Sequence, residues 1–197
     1  MNKSKLSVGS YALAFVAAAL ACAGASQPVL SADSEVSATP DKIARGKYLV
    51  TIAGCNDCHT PLKMGENGPE PDYSRMLSGH PESVVVKSAA RVPDEPWLVT
   101  TTATTTAWSG PWGVSFTANL TPDSETGLGR WTFRNFKDTI RTGRHMGRGR
   151  AILPPMPIPM YKHMTDQDLE AVFSYLRTIP SIKNRVPEPL PPQVAAN

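Results

Sequence analysis

Apolar residues recur at helical spacing in three stretches of this chain. The first stretch begins at Thr39-Pro40-Asp41, which combines a cap, a proline at the first helical position and an acid in the first turn. The pattern predicts a helix that leads into Gly54, and its apolar side chains are Ile43, Tyr48, Leu49 and Ile52.

A second helix is predicted from Trp131 or Thr132 to Thr142, with Gly143 as its C-terminal stop. Its apolar side chains lie on one side of the predicted helix. They are Phe133, Phe136 and Ile140.

The last helix begins at Thr165, the predicted cap, and Pro180 closes it. Gly46 of the first helix either allows an aromatic residue of this last helix, Phe173 or Tyr175, to approach closely or is simply tolerated. One buried face is predicted from residues at i, i+3, i+4 and i+7, which are Leu169, Val172, Phe173 and Leu176.

The stretch between His59 and Gly129 shows little periodicity, because prolines and glycines interrupt it. Short strands are indicated only at 84–86 and 97–99, and the threonines of 100–106 form either extended structure or a low-complexity loop. The chain is therefore predicted to be all-α, with a long Pro/Gly-rich irregular insertion at about 62–129, between the Cys55–His59 run and the helix that starts near Thr132.

The run Cys55-Asn56-Asp57-Cys58-His59 has the spacing of a c-type haem attachment site. Cys55 and Cys58 are predicted to bond one haem c covalently, and His59 is predicted to ligate its iron. A redox-active cysteine pair would be expected within a βαβ pattern, and a zinc site would require two further ligands at close spacing. The sequence shows neither the βαβ pattern nor the additional ligands. The irregular insertion is expected to pack over the haem edge or against a partner.

The first 25 residues read as an export signal, with cleavage as late as 32 as the alternative. Lys3 and Lys5 precede an apolar, alanine-rich stretch and small residues. The remaining cysteine, Cys22, lies in this segment and is a less favoured candidate for lipidation. We therefore predict a bacterial periplasmic protein with one domain over 26–197, including a Pro-rich tail at 187–197.

Charge changes this interpretation little. The chain has 20 Lys and Arg against 17 Asp and Glu, and loss of Lys3 and Lys5 leaves it nearly neutral. Bulk electrostatics therefore do not indicate a nucleic acid or an anionic membrane as the partner.

A second axial ligand is sought in the proline-rich segment before the last helix. Met156, between two prolines, is the leading candidate, because prolines hold the chain extended and a thioether suits an electron-transferring iron. The alternatives are Met164, Met160 and the pair His145 and His163. His80, in the Pro/Gly-rich stretch, is expected at the surface.

Trp131 and nearby arginines form a second cluster of interest. They could neutralise haem propionates or dock an acidic partner. The alternative, which we favour for each arginine alone, is a solvated basic loop after a helix. The arginines are Arg141, Arg144, Arg148 and Arg150.

Several motifs together resemble class I cytochrome c domains, and more narrowly the haem domains in cytochrome subunits of bacterial membrane-bound alcohol, gluconate and aldehyde dehydrogenases. The resemblance covers most of 41–187 and implies an all-helical haem fold, His/Met ligation with Met156 as ligand, and electron transfer from a dehydrogenase towards a quinone or oxidase. Those subunits commonly carry three haem motifs, whereas this chain has one. The matching motifs are Cys55–Thr60, Ala118–Asp123, Thr126–Gly129 with Trp131, Met156-Pro157 and Met164–Leu169.

Two function classes follow from these patterns. The first is an electron-transfer protein, not itself an enzyme, that connects a dehydrogenase to the respiratory chain. The second is a haem enzyme or ligand-binding sensor with an open sixth site. The methionine segment favours the first.

Overall fold

The computed structural model describes residues 38–89 and 97–192, and the predicted export signal with Cys22 lies outside them. Within the described residues, five α-helices and two small antiparallel sheets form the chain. The helices are α1 Pro40–Ile52, α2 Cys55–His59, α3 Phe133–Thr142, α4 Ile158–Tyr161 and α5 Asp166–Leu176. The strands are β1 Leu62–Gly65, β2 Gly68–Pro71, β3 Thr100–Thr101, β4 Ala107–Gly110 and β5 Gly113–Phe116.

The three predicted helices are confirmed, and their caps explain where they begin. The Thr39 side chain accepts a hydrogen bond from Lys42 N, and the Thr165 side chain accepts one from Asp168 N. Thr132 and Asn135 form a reciprocal capping box at the start of α3, which ends at Gly143 in the left-handed conformation.

The main hydrophobic core lies where α1, α3 and α5 meet. Gly46 of α1 is buried against α5, where a Cβ atom on it would stand 2.0 Å from Ala171 O and 2.8 Å from Tyr175 Cβ. The glycine therefore permits the close approach of α5 at the Ala171 backbone and at Tyr175, one of the two aromatic residues considered. The buried residues of these helices include Leu49, Val50, Phe136, Ile140, Leu169, Val172, Phe173 and Leu176.

The all-α prediction is wrong, because the insertion contains strands and the fold is mixed α/β. β1 pairs with β2, and β3, β4 and β5 form an antiparallel meander. The strands at 84–86 and 97–99 are not formed, and only Thr100–Thr101 of the threonine run is a strand. Strands of two to four residues show too few alternations for their pattern to be read from sequence.

The insertion is held to the haem motif by backbone and hydroxyl contacts. Thr60 is fully buried, and its Oγ1 accepts a hydrogen bond from Leu77 N at 2.9 Å. Gly79 N donates to His59 O at 2.8 Å, and His80 N donates to Thr117 O at 2.9 Å. These bonds order a region that lacks long regular elements.

His80 is fully buried, so its predicted surface position is wrong. Its Nε2 donates to Val84 O at 2.8 Å, and its Nδ1 lies 2.9 Å from Thr106 Oγ1. The ring also packs at 4.8 Å, between centroids, against Phe116. Burial lowers the pKa of His80, so the imidazole is neutral in the folded chain at neutral pH.

Candidate functional site

A cavity of about 370 Å³ lies beside the Cys-x-x-Cys-His run and is lined mainly by apolar groups. Cys55, Cys58 and His59 all contribute to its wall. The short helix α2 brings the two cysteines together, because residues three apart face the same side of a helix. Gly54 precedes it with φ 67°, a left-handed turn that redirects the chain after α1.

Cys55 and Cys58 do not form a disulfide, so both sulfur atoms are available for covalent attachment. Burial raises the pKa of Cys55 to about 11, and burial also raises the pKa of Cys58. The thiols are therefore protonated at neutral pH. Among the described residues, no cluster of three or more His, Cys, Asp or Glu side chains is arranged to hold a metal ion, as a zinc site would be.

His59 is buried and has its ring fixed by one hydrogen bond. Its Nδ1 donates to Ala118 O at 2.8 Å, since a carbonyl can only accept. Burial lowers the pKa of His59, although the bond to Ala118 opposes that shift. The proton on Nδ1 leaves the Nε2 lone pair for a metal ion, the arrangement usual for metal-binding histidines.

Two of the three candidate methionines line the cavity: Met156 and Met164. Met160 is 70% exposed and does not line it. The two candidate histidines are both exposed at the surface, but only His145 lines the cavity.

The loop that carries Met156 is fixed at both ends. Ser115 Oγ donates to Pro154 O, and Ile158 N donates to Met156 O at 2.8 Å. Beyond it, the Tyr161 hydroxyl donates to Ala53 O, two residues before Cys55. Tyr161 also lines the cavity, and burial raises its pKa to about 12. The short helix that follows the candidate ligand loop is thus bonded to the residue two positions before the haem motif.

Met164 is also held in place, by Arg141 of α3. The guanidinium donates to Met164 O at 2.7 Å and to Lys162 O at 2.6 Å, and it pairs with Asp166 at 2.6 Å. Arg141 therefore fixes the start of α5 and does not line the cavity.

Some residues of the Trp131 cluster line the cavity, whereas others lie only at the protein surface. Trp131 and Arg150 line the cavity, and Trp131 meets His145 edge-on at 5.1 Å between ring centroids. Arg144 donates instead to Gly149 O at 3.0 Å, and Arg148 is exposed. Only one of the four arginines is thus positioned on the cavity wall.

The residues fit a c-type haem. The wall combines two cysteine side chains outside any disulfide, an oriented imidazole and two thioethers with a mostly apolar lining, and the volume is in the range of cofactor sites. Sequence reasoning missed Ala118, Tyr161 and residues 185–189 as parts of this site. Ala118 belongs to the Ala118–Asp123 motif, but that motif does not indicate a role for it. No sequence pattern near Tyr161 or 185–189 indicates that these residues border the site.

Comparison with known proteins agrees with this arrangement. The family described as Cytochrome c matches residues 43–180, which is more than half of the chain. Described residues in this range include both cysteines, His59, Met156 and Met164. The range ends four residues after α5.

Three relatives illustrate the similarity. The chain is 27% identical over 150 residues, 74% of its length, to the cytochrome c subunit of alcohol dehydrogenase (quinone) from Gluconacetobacter polyoxogenes. It is 27% identical over 159 residues, 78% of its length, to the fructose dehydrogenase cytochrome subunit from Gluconobacter japonicus. It is 34% identical over 65 residues, 33% of its length, to the gluconate 2-dehydrogenase cytochrome c subunit from Pantoea cypripedii. The matches cover only 24%, 26% and 14% of those relatives.

Proposed function

This chain belongs to the cytochrome c family, and from that premise we propose that it is a periplasmic cytochrome with one haem, ligated by His59 and Met156, that carries electrons between a dehydrogenase and the respiratory chain. Membership in the family indicates covalent haem c and electron transfer rather than catalysis by the chain itself. The haem supplies one-electron exchange between ferrous and ferric iron.

The observation that carries this proposal is a single cavity that collects every group required. The two thiols, His59 and Met156 all line it, although Met156 lies about a hundred residues from the motif in sequence. A thioether favours ferrous iron and raises the reduction potential, which suits a carrier that cycles between two oxidation states.

Met156 is favoured over Met164 because its loop is constrained next to the haem motif. Prolines flank Met156, and the Tyr161 bond to Ala53 holds the following turn against α1. Met164 instead adjoins the cap of α5, where its backbone is engaged by Arg141. These contacts support Met156 as ligand and Met164 as packing.

Three alanine variants test the ligand. In the ferric holoprotein, Met156→Ala is expected to abolish the methionine-to-iron charge-transfer band, because the sulfur ligand is gone. Met164→Ala is expected to retain the band, and Met160→Ala serves as the exposed control. An intact band in Met156→Ala would contradict the assignment of Met156. Loss of the band in Met164→Ala alone would identify Met164 as the sixth ligand.

Ligand addition separates this carrier from a haem enzyme or sensor. With the sixth position filled, added cyanide or carbon monoxide is expected to bind slowly at neutral pH, at a rate limited by loss of methionine from the iron. Rapid binding to the unaltered protein would refute the filled sixth site and, with it, the carrier role.

The partner and the compartment are proposed from the relatives and the leader-like segment. The three relatives are described as cytochrome subunits of dehydrogenases, so we expect a dehydrogenase to co-purify with the haem protein from a periplasmic or membrane extract. The test is reduction of the haem when that enzyme's substrate is added. Haem that stays oxidised with every co-purifying dehydrogenase would argue against this partnership.

A further inference from the structure

Residues 182–190 follow α5 and lie beyond the matched family region, yet they border the cavity. We call this segment the C-terminal strap. It contains no helix or strand apart from the bridge residue Leu190, and five consecutive residues of it, 185–189, line the cavity. The family core therefore does not supply the whole wall of this site.

Asn184 anchors one end of the strap and is fully buried. Its Nδ2 donates to Ser78 O at 2.7 Å and to His80 O at 2.9 Å. Its Oδ1 accepts from Glu82 N at 3.0 Å and from Arg75 Nη2 at 3.1 Å. One side chain thus makes four hydrogen bonds to the insertion, which fixes where the strap enters the cavity wall.

The other end pairs with the sheet of the insertion. Leu190 and Val114 form an antiparallel bridge, with N–O distances of 2.9 and 3.0 Å. Gly113 lets the strap approach, since a Cβ atom there would stand 2.0 Å from Leu190 O. The strap is therefore held at both ends, on either side of the residues that face the cavity.

The middle of the strap is restrained as well. Glu188 forms an ion pair with Arg150 at 3.0 Å, and Arg150 also lines the cavity. Pro187 and Pro189 flank Glu188 and restrict the backbone to extended conformations. The ion pair lies at the protein surface, with the Glu188 side chain 84% exposed, so the two anchored ends and the prolines supply most of the restraint on this wall.

We propose that the C-terminal strap excludes water from the haem site, that Asn184 is its positioning residue, and that the strap thereby raises the reduction potential. This inference rests on the proposed function. Ferric haem carries one more positive charge than ferrous haem, so a site shielded from water stabilises the ferrous state. The strap therefore acts on the electron-transfer equilibrium without contacting the iron.

The test uses the full-length holoprotein with a double variant, Pro187→Gly with Pro189→Gly, which loosens the strap and keeps its charge, its anchors and Glu188. The chain offers a matched control, because Pro69-Glu70-Pro71 in β2 repeats the same Pro-Glu-Pro sequence with an ion pair to Lys63 and does not line the cavity. The control is Pro69→Gly with Pro71→Gly. Asn184→Ala is the second strap variant, with Asn135→Ala in the α3 cap as its control.

We expect both strap variants to lower the equilibrium constant for haem reduction by roughly threefold to tenfold, where tenfold equals about 59 mV for one electron. Cyanide binding to the ferric protein should accelerate by a similar factor, and neither control should change either quantity. If the Asn184→Ala protein does not accumulate, the reduction potential and cyanide rate of the Pro187→Gly, Pro189→Gly variant test the proposal. Unchanged potential and cyanide rate in a folded strap variant with haem would overturn the inference alone, whereas failure of the unaltered chain to carry haem would overturn the proposed function.

Discussion

The His59 ring is oriented by one hydrogen bond from Nδ1 to Ala118 O, which leaves the Nε2 lone pair for the proposed iron. The motif itself identifies His59, because the spacing of the cysteines and the histidine is local. The acceptor lies 59 residues further along the chain and is a backbone carbonyl, which any residue could present. The role proposed for this residue therefore comes from the sequence, while its orientation comes from the tertiary structure.

The position of His80 also depends on the tertiary structure, because the sequence predicted a surface residue and the side chain is fully buried. This burial predicts that the stability of the protein depends on pH. Burial lowers its pKa below the ordinary 6.5, so the unfolded chain takes up a proton that the folded chain does not. The free energy of unfolding should therefore fall as the pH decreases below about 6.5, with His80 contributing until its folded pKa is passed.

Urea unfolding of the holoprotein at several pH values measures this effect. His80→Gln should be less stable near neutral pH, because its buried contacts are altered, and should show a shallower loss of stability towards acid. The exposed His163→Gln variant is the control and should follow the unaltered protein. An acid dependence in His80→Gln as steep as in the unaltered chain would show that His80 does not contribute.

At the scale of elements, the crossing of α1 and α5 depends on a residue without a side chain. Gly46 is buried, and the backbone of Ala171 occupies the space where its Cβ would be. The sequence left two interpretations of this glycine open, since helical spacing shows which face is buried but not how closely two faces approach. Only the packed helices distinguish close approach from tolerance.

Gly46→Ala should separate these helices. Alanine favours a helix by about 1 kcal/mol over glycine, but overpacking against backbone costs more, so we expect a net loss of about 2 kcal/mol in unfolding free energy. Lys47→Ala, at the exposed next position, should change stability by less than about 0.5 kcal/mol. Denaturant unfolding compares them, and a Gly46→Ala variant as stable as the unaltered protein would disprove the close-contact explanation.

At the scale of the whole molecule, the insertion and the C-terminal strap complete a cavity that the helices begin. Residues 115–120 of the insertion line it, as do 185–189 of the strap. Part of the insertion therefore borders the candidate site, and its packing over the haem edge or against a partner stays a prediction. The described helices include none that is both long and apolar enough to cross a membrane.

One haem per chain is the whole-molecule prediction, because the sequence contains a single Cys-x-x-Cys-His run. Mass spectrometry of the denatured protein should show one covalent haem, and Cys55→Ser with Cys58→Ser should remove it. Cys22→Ser is the control and should keep the haem. A second haem per chain, or covalent haem that persists in the double variant, would contradict the prediction.

The sequence by itself determined the features that depend on neighbours along the chain. The N-terminal caps of α1 and α5, the stop of α3 at Gly143, the buried faces of α3 and α5 and the haem motif all use residues within one or two helical turns, so their spacing is sufficient. The tertiary structure decided the close contact at Gly46, the buried position of His80, the five short strands and the strap wall. Each of these depends on groups far apart in sequence, and backbone carbonyls and amides, which supply many of the contacts, carry no signature in the side-chain pattern.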